Sequence, residues 1–433
     1  MQVNYPSDLQ RLLQQTGIIH PVFGDLLRPQ AVCMDRKMLE KGYIEKSPYF
    51  VHLTVTGRCN ARCRGCINNG ISFQDEKLKE FLSPEYDLQP ERDSKGILSL
   101  LEQEGAREAW ICFYGGEPLI LPDKMDTFIH LLESGDHSYR FCYMLYTNGQ
   151  LLDRAVEKHS ELLKKFDLFS VSIDGQHQQH NQIRHGTDLE KIHRNLRRLR
   201  EVRNGPVLMW STLREEQSLE DCFEEFLYLH EQGLADHFFW HWVETQYPFQ
   251  DFSAYLRRYE QDLEVILDHY IIELKRGRVL SILHLNELIL FLLTGKQRGT
   301  TGCGVEVQRN LDLTGGKILA CSDLGPEWEI GYIEPSGQPH LIRRNYEKLI
   351  EYKQPLGCSQ CGVHGYCGGR CPVEALHCEP KRLVEYCQLM RLHVELVQGR
   401  IPQIQRWIRD RGISIQEIYD RSVFYVQFTD VTP

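Results

Sequence analysis

The sequence predicts an α/β protein: a partial (β/α)6 TIM-like barrel followed by a small cysteine-rich domain. Three observations predict it. Between residues 50 and 250, six short apolar, β-branched or aromatic runs alternate with helical stretches, the pattern of βαβ units around a parallel sheet. Cysteines are clustered: Cys59, Cys63 and Cys66 form one knot, and eight of the 15 lie between Cys303 and Cys387. Residues 301–390 are rich in Gly and Cys and poor in long periodic runs, which suits a domain held by metal rather than by a large core.

Along the chain, residues 1–49 read as a leader. Ser7 with Gln10 forms a capping box for a helix carrying Leu9, Leu12 and Leu13, closed by Gly17. No basic stretch is followed by an apolar run there, so it does not read as a secretory signal. The barrel spans 50–250. Its strands are Phe50–Val55, Ala109–Tyr114, Phe141–Tyr146, Leu168–Ile173, Pro206–Thr212 and Phe238–Val243, with helices over Ser94–Gln103, Leu121–Leu132, Ala155–Lys165, Leu189–Val202 and Leu219–Gln232. Right-handed crossovers are expected, with functional residues at the carboxyl ends of the strands. Residues 251–300 read as a helical linker. The apolar run Leu288–Leu293 is far short of the ~20 residues that span a bilayer. The cysteine-rich domain covers 301–390, and 391–433 holds a helix and a strand-like run, Val423–Phe428.

Composition bounds the function. Fifty basic against sixty acidic residues give a net charge of −10, which argues against a nucleic-acid partner. With no membrane segment, the expected location is the cytoplasm. Disulfides are rare there, so clustered cysteines point to metal or catalysis. The isolated Cys33, Cys112, Cys142 and Cys222 read as small buried hydrophobes.

The first knot is Cys59-x3-Cys63-x2-Cys66, directly after the first strand. Three thiolates can hold three corners of a [4Fe–4S] cube and leave one iron open. A structural zinc site needs a fourth ligand, and none is local. Strand two ends in Tyr114-Gly115-Gly116-Glu117-Pro118, strand three in Thr147-Asn148-Gly149, and strand four in Ser172-Ile173-Asp174-Gly175. Together these residues resemble the radical S-adenosylmethionine (SAM) superfamily. The resemblance implies that Cys59, Cys63 and Cys66 hold the SAM-binding cluster and that Gly115, Gly116 and Glu117 bind the SAM amino group. It also places Ser172 and Asp174 near the ribose and Arg184 at the SAM carboxylate. Turn formation and a surface arginine are the plainer alternatives for the last three. Many relatives carry an aromatic residue just before the third cysteine. Here it is Gly65, so adenine must pack elsewhere.

The second set is Cys303-x12-Gly316-x4-Cys321, then Cys358-x2-Cys361-x5-Cys367-x3-Cys371, then Cys387. It resembles the SPASM domain, which carries two auxiliary clusters. By resemblance, Cys358, Cys361, Cys367 and Cys387 hold one, and Cys303, Cys321 and Cys371 the other. Relatives that add a fourth cysteine six residues before Cys303 have Gln297 at that place here, and Cys378 reads as a spare thiol. A pair of zinc sites is the rival.

Three further features have plain readings. His177, His180 and His185 read as a polar surface loop. Arg194, Arg197, Arg198, Arg200 and Arg203 form a basic helix face, solvated or suited to an acidic peptide leader. The run Phe238–Trp242 alternates, and its inward members line a cavity or fill the barrel core. Asp312 and Asp323 are candidate proton acceptors by position. The resemblance implies reductive cleavage of SAM to a 5′-deoxyadenosyl radical that modifies a peptide or protein. Three [4Fe–4S] clusters and a low-potential donor (flavodoxin or ferredoxin) are expected. The leader is shorter than a small domain, so peptide recognition falls to a separate protein or to direct docking. Formation of a thioether, C–C or related bond is the preferred outcome. Formylglycine generation, as in anaerobic sulfatase maturation, and a non-catalytic electron carrier are the alternatives.

Overall fold

A computed structural model describes residues 49–66, 84–135, 138–245, 247–295, 299–307, 310–324, 328–342 and 347–422. The leader helix, Cys33, Gln297 and Val423–Phe428 lie outside the described residues.

Six strands form the barrel: β1 (Tyr49–Thr56), β2 (Glu108–Gly115), β3 (Arg140–Thr147), β4 (Leu168–Ser172), β5 (Val207–Leu213) and β6 (His237–Trp242). They lie side by side in chain order and all pair in parallel. The crossover helices include α1 (Pro90–Gln103), α2 (Pro122–Glu133), α3 (Leu152–Lys158), α4 (Ser160–Lys165), α5 (His177–Ile183), α6 (Leu189–Val202) and α7 (Leu219–Glu231). Local chemistry starts them. α1 has Pro90 in its first turn with Glu91 and Asp93, which suit the positive end of the helix. Asp188 and Ser218 cap α6 and α7 through their side chains. The single helix expected over Ala155–Lys165 is two, because the backbone at His159 (φ −135°, ψ 35°) leaves the helical region.

The two faces of the sheet have separate cores. Outward residues such as Val51, Leu53, Phe113, Val171 and Trp240 pack under the helices. Inward, Phe50, Cys112, Met144, Leu168, Leu208 and Phe239, one from each strand, join Leu283 in an apolar plug.

The cysteine-rich segment is built onto this sheet. β7 (Asn310–Thr314) pairs in parallel with β1, with His52 opposite Asp312. Gly315 and Gly316, with φ of 58° and 83°, then turn the chain in the left-handed conformation that a tight hairpin favours. β8 (Lys317–Leu319), β9 (Glu329–Ile333) and β10 (Pro339–Leu341) continue as an antiparallel meander. The result is one ten-stranded sheet. After α8 (Phe252–Lys275) and α9 (Leu283–Thr294), the longest helix, α10 (Pro380–Arg411), runs through position 390 without a break. Its buried side carries Leu389, Val394, Val397 and Ile401. Among the described residues no helix is long and apolar enough to cross a membrane.

Candidate active site

The loop after β1 carries Cys59, Cys63 and Cys66. Cys63 is pinned by a two-residue ribbon in which Arg62–Cys63 pairs antiparallel with Arg184–His185. Burial pushes the Cys59 thiol up to about 11, and the Glu117 carboxylate and the other two thiols add to this. Holding the Cys59 sulfur as a thiolate at neutral pH therefore calls for a cationic centre beside it. The three-thiol donor set fits three corners of an iron–sulfur cube.

Gly115 and Gly116 are dictated by a close approach between loops. Gly115 has φ +118°, and a Cβ there would lie 2.4 Å from the Thr56 carbonyl oxygen. A Cβ on Gly116 would lie 2.3 Å from the Arg58 oxygen. The Gly116 and Glu117 amides donate to Thr56 and Arg58 carbonyls at 2.8 and 2.9 Å. The end of β2 is thus zipped to the start of the cysteine loop. Glu117 is fully buried. Its Oε1 accepts from the Leu119 amide (3.1 Å) and Thr147 Oγ1 (2.8 Å), and its Oε2 accepts from the Asn148 amide (2.8 Å). Burial raises it to about 7 against those bonds. Its carboxylate ties the ends of β2 and β3 together. Asn148 in turn donates to Asn60 Oδ1 at 2.9 Å and faces Cys59 Sγ at 3.7 Å.

Asp174 is fully buried and saturated. Arg184 donates to it twice, from Nε (2.8 Å) and Nη2 (3.0 Å). Arg214 Nη1 (2.9 Å) and the Thr212 amide (2.9 Å) complete the set. Despite burial, the two guanidiniums hold the Asp174 carboxyl well below the usual range. Arg184 keeps Nη1 for Cys63 Sγ, 4.0 Å away, and Arg214 Nε donates to the Arg64 carbonyl at 2.6 Å. This ion triad braces the cysteine loop from below. His180 is buried, not on the surface as expected. It accepts the Asp174 amide at 3.1 Å and meets Thr187 at 3.0 Å, and burial pushes it down to about 3.

Above the apolar plug lies a polar aromatic floor. The His52 ring is 5.7 Å from Tyr114 and 6.3 Å from Tyr146, and Trp210 is 5.3 Å from Tyr146 and 5.4 Å from His241. Ser172, in register with Trp210, shares the inward parity of Leu168 on β4. Thr212 Oγ1 meets His241 Nε2 at 2.9 Å. Of the run on β6, Phe239 joins the inward plug while Phe238, Trp240 and Trp242 belong to the outer core. Asp312 reaches this floor across the β1–β7 seam. Its Oδ1 lies 3.0 Å from His52 Nδ1, and its Oδ2 accepts from the Ser322 amide. The Tyr114 phenol is pushed well up by burial first, then by Asp323 and Asp312. Asp323 also meets the Cys321 thiol at 3.9 Å.

The remaining cysteines fall into two groups. Cys358, Cys361, Cys367 and Cys387 line one cavity. Burial drives the Cys387 thiol well up, and Cys367, Cys358 and Cys361 push it the same way. Cys371 is likewise raised by burial first, and among the thiols it feels Cys303 and Cys321. Cys378 packs beside the four-cysteine group without lining its cavity. Among the described residues no three His, Cys, Asp or Glu side chains are gathered tightly enough to hold a single metal ion. Cys112, Cys142 and Cys222 are buried in the cores. Most of the basic face of α6 is committed: Arg198 to Glu157 (2.9 Å), Arg200 to Asp236 (2.6 Å) and Arg203 over the Phe169 ring (5.0 Å).

Sequence reasoning missed Arg214 and His52. Arg214 had a signal, a basic residue at the carboxyl end of a barrel strand. His52 had only its inward parity in a largely apolar run.

Residues 53–212 match the model of the Radical SAM superfamily. Over 143 residues the chain is 27% identical to the radical SAM cyclopropyl synthase TigE of Paramaledivibacter caminithermalis, a match spanning 32% of this chain and 29% of that relative. In fold it is similar to anSMEcpe with bound AdoMet (TM-score 0.65, 19% identity, 87% of this chain and 98% of that one). It is also similar to anSMEcpe with bound AdoMet and Cp18Cys peptide (TM-score 0.62, 17% identity, 83% and 99%).

Proposed function

We propose that this chain, whose residues 53–212 match the model of the Radical SAM superfamily, is a radical SAM enzyme that cleaves SAM reductively and uses the product to modify a peptide or protein. The observation that carries the reading is the cysteine loop zipped to the Gly115–Glu117 turn at the carboxyl mouth of the sheet. In this reading Cys59, Cys63 and Cys66 would hold a [4Fe–4S] cluster, which with SAM bound would supply the electron for reductive cleavage to methionine and a 5′-deoxyadenosyl radical.

The chain's own residues bind, orient and shield. Gly115 and Gly116 offer backbone carbonyls beside the cluster loop, and Glu117 fixes that turn rather than greeting the ligand alone. Arg184, oriented by Asp174, presents its Nη1 edge beside Cys63, where a carboxylate would complete its partners. Ser172 and the ring floor of Tyr114, Tyr146 and Trp210 bound the space left for ribose, adenine and substrate, and exclude water. Asp312 holds His52 at the seam, so that pair, with Asp323, can take a proton there. Cys303, Cys321 and Cys371, and Cys358, Cys361, Cys367 and Cys387, would hold two auxiliary clusters. Flavodoxin or ferredoxin is the expected donor, and a separate recognition protein the expected aid to peptide binding.

The test is anaerobic turnover of the reconstituted protein with SAM, reductant and a library of candidate peptides. The reading predicts that one peptide class raises 5′-deoxyadenosine release above its peptide-free rate and emerges with a changed mass. Formylglycine in that product would assign the alternative reaction. Release that no peptide stimulates would refute the substrate class.

A further inference from the structure

The segment Cys367-Gly368-Gly369-Arg370-Cys371 joins the two cysteine groups, and its backbone is unusual. Gly368, Gly369 and Arg370 have φ of 65°, 93° and 62°, and Arg370 is the only non-glycine with positive φ among the described residues. A side chain with a Cβ persists there only where its surroundings fix it. Three contacts do so. The guanidinium carbon lies 4.2 Å from the Tyr386 ring centre and 5.1 Å from that of Trp242, and Nη2 lies 3.4 Å from Glu374. The side chain is 7% exposed. Arg370 also lines the cavity of Cys358, Cys361, Cys367 and Cys387, and Tyr386, the ring it covers, precedes Cys387 in the chain.

A buried guanidinium keeps its charge, and its field is weakly screened. Four thiolates around an iron–sulfur cube carry net negative charge, which grows by one when the cube accepts an electron. Charge, hydrogen bonding and exposure are the levers that set its potential. A cation fixed in the cavity wall therefore favours the reduced state, and Glu374, of opposite sign, tempers it.

We propose that Arg370 is a positioning residue that raises the reduction potential of the auxiliary cluster held by Cys358, Cys361, Cys367 and Cys387. The inference rests on the reading above that those four cysteines hold a [4Fe–4S] cluster. The ring contacts with Trp242 and Tyr386 fix where the charge sits, in the wall of the four-cysteine cavity.

The test is an EPR-monitored redox titration of the full-length reconstituted protein, repeated with Cys59, Cys63 and Cys66 replaced by Ala to remove the overlapping signal. Arg370→Gln should lower the reduced-to-oxidised ratio at a fixed ambient potential at least tenfold, 59 mV for one electron. Arg370→Lys, which keeps the charge, should shift it less, and Glu374→Gln should shift it the other way. Iron and sulfide content checks that each variant is loaded. If Arg370→Gln loses the cluster, the opposite signs expected of Arg370→Lys and Glu374→Gln still decide the matter. Wild-type midpoints in loaded Arg370→Gln, or shifts of one sign in Arg370→Lys and Glu374→Gln, would overturn the inference. Wild-type iron content in a Cys358→Ser/Cys387→Ser variant would instead overturn the reading it rests on.

Discussion

Replacing Asp174 by Ala should cost about 3–5 kcal/mol of stability, the expected penalty for stripping one partner from a buried ion pair. The geometry sets the size. Asp174 is fully buried and accepts four bonds of 2.8–3.0 Å, three of them from Arg184 and Arg214. Adding those bonds one by one would give more, but the freed arginines have recourse. Arg214 keeps the carbonyls of Arg64 and Thr212 and the side chain of Gln217, and Arg184 is 10% exposed along its side chain. The assay is urea unfolding of the metal-free protein, reading the first cooperative transition. Arg184→Met should cost less than Asp174→Ala, because it leaves the carboxylate with Arg214 and the Thr212 amide. The pH dependence has a definite sign. The folded carboxyl is depressed, so its contribution is complete above the unfolded value of about 3.9 and is lost only as pH falls through the folded value. The gap between wild type and Asp174→Ala should be flat from pH 5 to 8. A gap under about 1 kcal/mol, the worth of an exposed pair, would refute the ion triad as the brace of the cysteine loop.

Two more substitutions probe the same region. Gly116→Ala places a Cβ 2.3 Å from one backbone oxygen and 2.6 Å from another. It should cost about 1–3 kcal/mol and lower the iron retained per chain. Gly399→Ala, in α10 with nothing within 4 Å, should instead stabilise by about 0.5–1 kcal/mol. For Glu117, burial raises the folded carboxyl to about 7, so the folded chain holds that proton to higher pH than the unfolded one. Wild type should therefore lose on the order of 3 kcal/mol relative to Glu117→Gln between pH 4 and 8, read by the same unfolding assay. A constant difference would remove Glu117 as the titrating group.

The sheet was legible because its signals are local. Each barrel strand is a short run rich in apolar, β-branched and aromatic residues closed by a turn, and the cysteines come in short, regular spacings. The contents of the site were legible by position but not by role. Glu117 sits at the end of β2 as expected, yet its carboxylate points back to Leu119, Thr147 and Asn148 because the loops of β2 and β3 close over it. Asp174 is likewise at the end of β4, but two arginines from 10 and 40 residues away enclose it. Pairings of that kind depend on which crossover lies over which strand. The same holds for Asp312. Only the β1–β7 register brings it to His52, and nothing in the local sequence of β7 announces that the cysteine-rich segment extends the barrel sheet. The Arg370 turn is hidden for another reason. Gly-Gly-Arg reads as an ordinary loop until the rings of Trp242 and Tyr386 come together around it.

The central claim is that Cys59, Cys63 and Cys66 hold an iron–sulfur cube that acts on SAM, and one measurement addresses it directly. Protein purified without oxygen is assayed for iron, sulfide and zinc, then incubated with SAM and a low-potential reductant while 5′-deoxyadenosine is quantified. The account predicts iron and sulfide in equal amounts, with reductant-dependent 5′-deoxyadenosine that vanishes when the three cysteines are replaced by Ala. Stoichiometric zinc with negligible sulfide, or nucleoside release that survives that replacement, would contradict it.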